Sequence, residues 1–592
     1  MEFSGSFFPG RRVAALCVAL FCATALLVYG ESLRNSFVTL DDNYLIYENP
    51  IITRITPGTL RHIFTTYDPE LYDPLTFVTY QIDYRIAGLE PWAYHAQNLL
   101  WHTLNALLVA WLLFALSGNA IISIALGLLF LVHPMNTEAV AWAAARKDVL
   151  STFFFLSSVL SYLCYRETDS GGAYRMSIGF FLLGLLSKVL VVTLPVILIL
   201  IDWLEGRRLG RKALIEKIPY VLLSCIFGVV ALFGKTNALL VTSVPQKMLM
   251  AFKTTWFTLE TFFVPVRLSL LYPYSGTVTL ASVDFLLPIL GILTLGILAS
   301  LAVRRTKIPA FGLAFFVVTL SPAFINFAKG NELFAGSDRY GYIPMIGLLS
   351  ILAAGFARLV GYDRTKTIAV QAGMILVLVA AGAASFTQAK NWADSETLYT
   401  SVLENYPLSL TARNNLGMVY LVQGKTDEAL AQFNLLLEKS VWPIALVNRG
   451  LTYYRQGNIP AAVADYTRAK ELDPSLDDAY YELGNVAYSQ GKLEEAAGLY
   501  TKAVELNPQF ANAVNNLGAT QLRLHRLDDA AATFRTLLTL NPLFTEAYYN
   551  LAVIYEQTGK FMDAADMYRQ ALSLNPGDAD AAAGLARVKG RL

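Results

Sequence analysis

Two adjacent acidic residues, Asp41 and Asp42, stand among aromatic and aliphatic side chains shortly after the first long apolar run. A carboxylate held near a hydroxyl or an amide can accept its proton, and a second carboxylate can position the first or bind a metal ion. The pair therefore predicts a general base and its neighbour, with a divalent cation at Asp41 and Asp42 as one option. The alternative is an acidic cap on a helix that begins near Asn43.

Four basic residues are predicted to lie at the same membrane depth as this acidic pair: Arg146, Lys147, Lys188 and Arg339. If this depth is at the outer face of the membrane, the four residues break the rule that basic residues stay on the inner face, and their positive charge needs another stabiliser. Guanidinium and ammonium groups bind phosphate through charge and hydrogen bonds. The set therefore predicts a phosphate site, with snorkelling to lipid headgroups as the alternative for any single member.

Other polar residues accompany these groups. His133 and Glu138 belong to the stretch "HPMNTEAVAWAAARKD", and His95 and His102 share a helix face with Asn98. We interpret these two histidines as hydrogen-bonded groups inside a helix bundle rather than as metal ligands, because isolated polar groups in a bundle pair with one another. Apart from the divalent-cation option at Asp41 and Asp42, no metal-ligand set is predicted.

These residues are set in a membrane protein. The chain has 592 residues, of which 55% are hydrophobic and 15% charged, and its mean hydropathy is +0.45. Such a chain is too apolar for a soluble globular protein, and its net charge of +1 gives no reason to expect nucleic acid as a partner. The four cysteines lie in apolar runs, without the spacing of a disulfide framework or a metal site.

Long apolar stretches predict about eleven membrane spans, because about 20 apolar residues cross a bilayer. The first is interpreted as an uncleaved span, and the run 175–204 as two spans broken at Ser187 and Lys188. The stretch 249–268 is interrupted by charges and by Pro265, so we interpret it as re-entrant or interfacial. The stretches are 12–30, 94–116, 119–134, 148–165, 175–204, 216–236, 283–303, 308–328, 340–360 and 367–388.

Basic residues in the short loops place the N-terminus on the inner face. The inner loops would hold Arg166, Arg175, Arg207, Arg208, Arg211, Lys212, Arg304, Arg305, Lys307, Arg358, Arg364 and Lys366. An odd number of spans then puts the loop 31–93 and everything after residue 388 on the outer face. That face is the periplasmic side of a bacterial inner membrane, or the lumenal side of the endoplasmic reticulum in a eukaryote. The absence of an Asn-x-Ser/Thr sequence favours the bacterium.

The C-terminal third is periodic. Pro474, Pro508, Pro542 and Pro576 are each 34 residues apart, which is the period of the tetratricopeptide repeat. Glycine and alanine recur where the two helices of a repeat must approach closely, opposite large aromatic residues. We predict a membrane domain over 1–390, a linker or first helix over 391–409, five repeats over 410–576 and a capping helix over 577–592.

Four of the five repeats carry an asparagine two residues before the small residue of the first helix: Asn415, Asn448, Asn516 and Asn550. Stacked repeats would align these amides along a concave groove. An amide can donate to and accept from a peptide unit, so the ladder predicts binding of an extended polypeptide. The alternative is that these asparagines cap or pack the repeats.

Several motifs together resemble one family, the transmembrane and tetratricopeptide-repeat O-mannosyltransferases. The matching stretches are "DDNYLIYENP", "YDPLTFVTYQIDYRIAG", "AYHAQNLLWHTLNALLVA", "HPMNTEAVAWAAARKDVLS", "LSLLYP" and "SDRYGYIP", followed by the repeats. The resemblance implies an all-α chain with a GT-C-type polytopic membrane domain and a C-terminal solenoid. It also implies a polyprenyl-phosphate sugar as donor, a protein hydroxyl as acceptor, Asp41 or Asp42 as base, and Arg146 at the donor phosphate.

Three functions fit these features to different degrees. The first is an inverting glycosyltransferase, which needs no P-loop or Rossmann fingerprint, and neither is present. The second is a non-catalytic membrane anchor that displays repeats to partners in envelope or surface-structure assembly; it leaves the acidic pair and the outer cations without a role. A transporter is disfavoured, because the polar groups are predicted at one face rather than near the middle of the bilayer.

Overall fold

The chain folds into two compact units, residues 1–412 and 413–592. The computed structural model describes residues 11–67, 72–234, 243–325, 327–329, 332–360 and 364–592. Both units are built from helices, as the sequence predicts.

The first unit contains apolar helices joined by short turns. Glycines in the left-handed region end two of them: Gly88 follows α3 with φ 63°, and Gly118 follows α4 with φ 67°. The helices are α1 (Arg11–Tyr29), α2 (Pro57–Thr65), α3 (Pro74–Ala87), α4 (Pro91–Ser117), α5 (Ala120–Val132), α6 (Thr137–Ala141), α7 (Arg146–Thr168), α8 (Gly171–Ser187), α9 (Leu194–Leu204), α10 (Arg211–Ile215), α11 (Ile218–Gly234), α12 (Val244–Phe263), α13 (Val283–Ala302), α14 (Ile308–Leu320), α15 (Met345–Val360), α16 (Arg364–Lys390) and α17 (Ser395–Asn405).

Among the described residues, seven helices are long and apolar enough to cross a membrane, or eight if the bent pair formed by α5 and the following helix is one span. The seven are Arg12–Arg34, Pro91–Ser117, Ala143–Thr168, Arg211–Gly234, Val283–Ala302, Ile308–Ile325 and Arg364–Lys390. Shorter apolar helices occupy Val189–Leu204 and Met345–Val360. The chain is therefore an integral membrane protein with several spans, and the total of about eleven stays a prediction.

Two of the predicted interruptions have clear structures. The break after Ser187 is real, because Lys188 is extended (φ −164°, ψ 127°) between α8 and a 3-10 turn that leads into α9. Residues 249–263 of this stretch lie in α12, which has 20 residues but is not among the helices apolar enough to cross a membrane.

The core of the first unit depends on close helix contacts. A Cβ atom at Gly312 of α14 would lie 2.4 Å from the carbonyl oxygen of Gly347 in α15, and the reverse distance is the same. A Cβ at Gly127 of α5 would meet Ala110 of α4 at 2.6 Å. Glycine at these positions therefore lets the helix backbones touch.

One feature was not predicted. Within the described residues, a small antiparallel sheet of order β1-β3-β2 connects β1 (Pro273–Tyr274), β2 (Ala328–Lys329) and β3 (Glu332–Phe334). Pro273 pairs with Phe334 and Ala328 with Leu333. The strands are too short for the alternating pattern that reveals a strand in a sequence.

The second unit is a solenoid of antiparallel helix pairs, and its boundary with the first falls inside α18. The five pairs and the last helix follow the predicted repeats, in a region that is described throughout: α18 (Leu410–Val422) and α19 (Thr426–Leu437), α20 (Pro443–Arg455) and α21 (Ile459–Leu472), α22 (Asp477–Ser489) and α23 (Leu493–Leu506), α24 (Ala511–Arg523) and α25 (Leu527–Leu540), α26 (Thr545–Gln557) and α27 (Phe561–Leu574), then α28 (Ala579–Lys589).

The predicted contact between small and aromatic residues is confirmed. A Cβ at Gly450 would lie 2.6 Å from the ring of Tyr466, and a Cβ at Gly484 would lie 2.7 Å from that of Tyr500. The aromatic rings therefore occupy the space that a larger residue at the glycine would need.

Candidate active site

The acidic pair separates into two environments. Asp42 is fully buried, and its two carboxylate oxygens accept the backbone N–H groups of Val38, at 2.9 Å, and Ala144, at 2.8 Å. Burial raises the pKa of Asp42 to about 7, against the opposing effect of these hydrogen bonds. Asp42 therefore ties the loop after α1 to the turn before α7.

Asp41 is the accessible member of the pair. Its side chain is 20% exposed, accepts a hydrogen bond from the Tyr44 hydroxyl, and lies 3.8 Å from the ammonium nitrogen of Lys147. The neighbouring cation favours the ionised form that a base requires. Asp41 can therefore meet a substrate, whereas Asp42 is enclosed.

Lys188 and Arg339 line a small cleft that opens to the surface. Lys188 forms an ion pair with Asp148, and Arg339 forms one with Glu138. The remaining lining includes hydroxyl and apolar groups: Ser151, Thr152, Leu190, Thr319, Pro322, Ala323, Tyr340, Tyr342, Ile343 and Pro344. The cleft thus combines cations with an apolar wall.

The cations influence one another through charge. Lys188 is repelled by both Lys147 and Arg339, and Arg339 is attracted to Asp41 and Asp148. We call this group the Asp41 cluster and define it as Asp41, Glu138, Lys147, Asp148, Lys188 and Arg339. Its members come from five separate stretches of the chain, and its formal charges balance.

Arg146 does not point into the cleft. Its guanidinium is fully buried and pairs with Asp83 at 2.9 Å. Each of its five N–H groups has a protein acceptor: the side chains of Asn98, Thr79, Gln97 and Asp83, and the backbone oxygen of Tyr94. No donor remains for a phosphate in this conformation, so Arg146 is held as part of the protein interior.

Asp83 was not singled out from the sequence. It lies in α3, its pKa is raised to about 6 by burial, and Arg146 opposes that rise. The one available signal was an acid in an apolar helix, which needs a buried cation as partner.

The predicted supporting residues are structural neighbours of the cleft. Glu138 accepts hydrogen bonds from the hydroxyl of Ser337, at 3.0 Å, and from the backbone N–H of Arg339, at 3.1 Å, in addition to the ion pair. Glu138 therefore fixes both the backbone and the side chain of Arg339. Asp338 lies between Ser337 and Arg339 in the sequence and accepts a hydrogen bond from the Tyr272 hydroxyl at 2.7 Å. Burial raises the pKa of Asp338.

The three predicted histidines differ. His133 contacts the backbone oxygen of Phe262 at 3.0 Å, and His102 contacts the Tyr342 hydroxyl at 2.6 Å and the Leu131 carbonyl at 2.9 Å. His95 is buried, with neither ring nitrogen in a hydrogen bond of normal geometry to the described residues. In the described part of the chain, no group of three or more His, Cys, Asp or Glu residues could hold a metal ion.

Two tryptophans extend the site and were not predicted. Arg339 lies 5.0 Å above the ring of Trp142 and 5.3 Å from the ring of Tyr340. Trp142 in turn stacks on Trp392, with ring centroids 5.9 Å apart. Cation–π contact therefore adds to the ion pair with Glu138 in orienting Arg339.

The asparagines of the second unit partly bond to other amides. Asn448 is buried and donates to Asn414 at 2.9 Å, one residue before the predicted Asn415. Asn516 is half-buried and donates to Asn485 at 3.1 Å. Asn550 is also half-buried and has no hydrogen bond to the described residues. The amide of Asn448 is therefore already paired, whereas the amides of Asn516 in α24 and Asn550 in α26 keep more capacity for hydrogen bonds to a ligand.

A second charged group lies at the far end of α7. We call it the Asp202 cluster: Tyr162, Arg166, Asp202, Arg207, Glu216 and Lys217. Asp202 is fully buried and accepts from Tyr162 at 2.8 Å, Lys217 at 2.7 Å and Arg207 at 3.1 Å. Glu216 accepts from Arg207 at 2.7 and 2.9 Å.

Comparison with known proteins supports both units. The tetratricopeptide-repeat family matches residues 383–440, 447–511, 515–579 and 554–588. Over 525 residues, the chain is 25% identical to protein O-mannosyl-transferase TMTC3 of Homo sapiens, which covers 78% of this chain and 55% of that protein. It is 34% identical over 185 residues to protein O-mannosyl-transferase TMTC1 of Mus musculus, covering 28% of this chain and 19% of that protein.

The chain thus spans about half the length, or less, of these relatives. Among solved structures, that of YrrB, a TPR protein with an unusual peptide-binding site, is 22% identical, with a TM-score of 0.27; the match covers 33% of this chain and 98% of that one. The chain is distantly homologous to protein O-mannosyltransferases and itself combines membrane helices with tetratricopeptide repeats.

Proposed function

We propose, from this distant homology, that the chain is an inverting membrane glycosyltransferase of the GT-C type. It transfers a sugar similar to mannose from a polyprenyl-phosphate donor to a protein hydroxyl on the outer face of the membrane. The observation that carries the proposal is the Asp41 cluster, in which the partly exposed Asp41 lies 3.8 Å from Lys147, and Lys188 and Arg339 line a cleft with apolar walls.

Asp41 acts as the base. Its carboxylate accepts the proton of a serine or threonine hydroxyl as the oxygen forms a bond to the anomeric carbon of the sugar. The bond between that carbon and the phosphate oxygen breaks, and its electron pair leaves with the polyprenyl phosphate. Attack from the face opposite the leaving group inverts the anomeric configuration.

Lys147, Lys188 and Arg339 stabilise the departing phosphate. Each supplies positive charge where negative charge develops, which lowers the barrier without a proton transfer to the leaving group. Entry of the phosphate would require Lys188 and Arg339 to share their charge between the phosphate and their present partners, Asp148 and Glu138. Arg146, with all its donors engaged, positions the start of α7 rather than the phosphate.

The repeats bind the acceptor polypeptide in this proposal. Asn516 and Asn550 keep part of their surface accessible, so they can form hydrogen bonds to an extended backbone. The amides at Asn414, Asn415 and Asn448 already bond in part to one another and would contribute mainly by keeping the groove in shape.

A non-catalytic scaffold is the second candidate. Its support is that Lys188 and Arg339 are already neutralised by acids, so the cluster is stable without a ligand. The two proposals differ in one outcome, which is whether a sugar moves.

The test is a transfer assay with the purified full chain in detergent. We would offer radiolabelled polyprenyl-phosphate mannose, glucose and related sugars, together with an extended peptide rich in serine and threonine. The matched control peptide carries alanine at every hydroxyl residue. Label on the hydroxyl peptide alone supports transfer, whereas no label from any lipid-linked sugar favours the scaffold. Mass spectrometry of envelope proteins from a deletion strain would then identify the natural acceptors.

A further inference from the structure

The stretch that follows the last long apolar helix, α16, packs against the loop that carries Asp41. The backbone N–H of Ser36 donates to the carbonyl of Ala393 at 2.8 Å. The backbone N–H of Thr39 donates to the hydroxyl of Ser395 at 2.8 Å, and the hydroxyl of Tyr399 donates to the carbonyl of Thr39, also at 2.8 Å. Both backbone groups of Thr39 are thus held by α17.

The local sequence explains this arrangement. Asp394 caps α17 by accepting the N–H of Thr397 at 2.8 Å, which fixes where the helix begins. Ser395 and Tyr399 are four residues apart and so project from the same face of α17. Leu398 and Val402, on the same helix, are also buried.

The loop is therefore fixed from two sides. Asp42 holds it to the turn before α7, and α17 holds Thr39, two residues before Asp41. Nearby, Trp392 supports Trp142 beneath Arg339. One short stretch, residues 392–399, contacts both the loop of the proposed base and the ring beneath a proposed phosphate-binding cation.

We propose that Ser395 and Tyr399 are positioning residues that hold Asp41 at the geometry needed for proton transfer, an inference that rests on the proposed function. Neither residue touches the substrate. Residues 392–399, within the stretch 391–409 predicted as a linker or first helix, are in this proposal part of the active site.

The test compares the double variant Ser395→Ala/Tyr399→Phe with the parent and with Ser401→Ala/Tyr406→Phe. The control also removes one serine hydroxyl and one tyrosine hydroxyl. However, the Ser401 hydroxyl bonds within α17, and the Tyr406 ring packs against Tyr272. A misplaced catalytic group costs up to about 100-fold in rate, so we expect kcat to fall about 10- to 100-fold in the double variant while the KM for the lipid-linked sugar stays unchanged. The control should keep both constants.

Hydrogen exchange of the amides in residues 36–42 provides a readout that does not depend on activity. Faster exchange in the double variant than in the parent and the control supports the role of α17; equal exchange overturns it. A double variant with parental kcat also overturns it, even where exchange is faster. If the double variant does not insert, Tyr399→Phe alone is tested by the same two measurements. A parent that transfers no sugar overturns the proposed function and the positioning role together, whereas an active parent with an unaffected variant overturns only the latter.

Discussion

The two charged clusters at the ends of α7 are similar in composition but differ in how completely their charges are paired. In the Asp202 cluster, Asp202 and Glu216 each accept from several donors at hydrogen-bond distance. In the Asp41 cluster, Lys147 is 3.8 Å from Asp41, and one carboxylate oxygen of Asp148 has no hydrogen-bond partner among the described residues. The Asp41 cluster thus keeps a cation and a carboxylate oxygen that are only loosely paired, whereas both carboxylates of the Asp202 cluster are engaged in holding helices together. In the Asp202 cluster, Arg166 Nε is the buried atom that has no hydrogen-bond partner among the described residues.

The largest loss of transfer activity is expected when the proposed base, Asp41, is replaced. Asp41→Asn removes the proton acceptor but keeps nearly the same shape, so transfer should fall about 10²- to 10⁴-fold, the usual loss for a positioned general base. Single-turnover transfer from a bound lipid-linked sugar measures the chemical step. Near-parental turnover would mean that the acid is structural and that the scaffold is the better proposal.

A substitution in the Asp202 cluster is expected to lower stability rather than activity. Asp202→Asn leaves Lys217 without its buried counter-charge, whereas Arg207 keeps Glu216. Loss of one partner from a buried ion pair costs about 3–5 kcal/mol of stability. Thermal unfolding in detergent should show a lower Tm, while the molecules that remain folded keep parental turnover. Glu167→Gln, on the exposed side of α7, is the matched control. Loss of turnover at full stability would contradict the division of roles.

The affinity for the lipid-linked donor should distinguish Lys188 and Arg339 of the Asp41 cluster from Arg146. Lys188→Ala and Arg339→Ala should each weaken binding of a polyprenyl phosphate about 10- to 100-fold, because a hydrogen bond to a charged group contributes about 1.5–3 kcal/mol. Arg146→Ala should instead lower the Tm, because Asp83 loses its buried partner. Calorimetric titration of the lipid phosphate, with Tm measured on the same samples, distinguishes these outcomes. A stable Arg146→Ala protein with weak donor binding would return Arg146 to the phosphate site.

The stability of the first unit should depend on pH through Asp42. The pKa of Asp42 is raised to about 7 in the folded chain from an ordinary 3.8, so the folded state binds the proton more tightly than the unfolded state. This contribution is complete below pH 3.8 and is lost as the pH rises through about 7, with a slope of at most about 1.4 kcal/mol per pH unit. Between pH 5 and 8, the parent should therefore lose more stability than Asp42→Asn; parallel Tm curves would contradict this.

The smallest effect is expected in the second unit. Asn516→Ala/Asn550→Ala removes two accessible amides, and each hydrogen bond contributes about 0.5–1.5 kcal/mol, so acceptor-peptide affinity should fall about fivefold to a hundredfold. Donor binding and the Tm should stay unchanged. Peptide titration by fluorescence anisotropy measures the effect, with Asn512→Ala on the exposed side of α24 as control. Equal affinity in the two variants would remove the amide ladder from the proposal.

The sequence predicted what depends on local spacing. The repeats follow from a 34-residue period, and the break at Lys188 follows from a charge inside an apolar run. The difference in burial between Asp41 and Asp42 could not be predicted from local spacing. It depends on a hydrogen bond from Ala144 to Asp42, and Ala144 is 102 residues away. Arg146 and Lys147 are adjacent in the sequence, yet Arg146 is enclosed by partners from α3 and α4, whereas Lys147 lies 3.8 Å from Asp41. Those partners are distant in the sequence, so local spacing could not separate the two residues.

The contact between Thr39 and Tyr399 also bears on how the protein is made. The loop of Asp41 leaves the ribosome early, but its partner lies 360 residues later. At roughly 5–20 residues per second, synthesis of that interval takes about 20 to 70 s. A nascent chain would carry the acid throughout that time, and each cation from the moment it is made, without the helix that fixes the loop of Asp41. Catalytic competence would arise only once the last long apolar helix had been inserted.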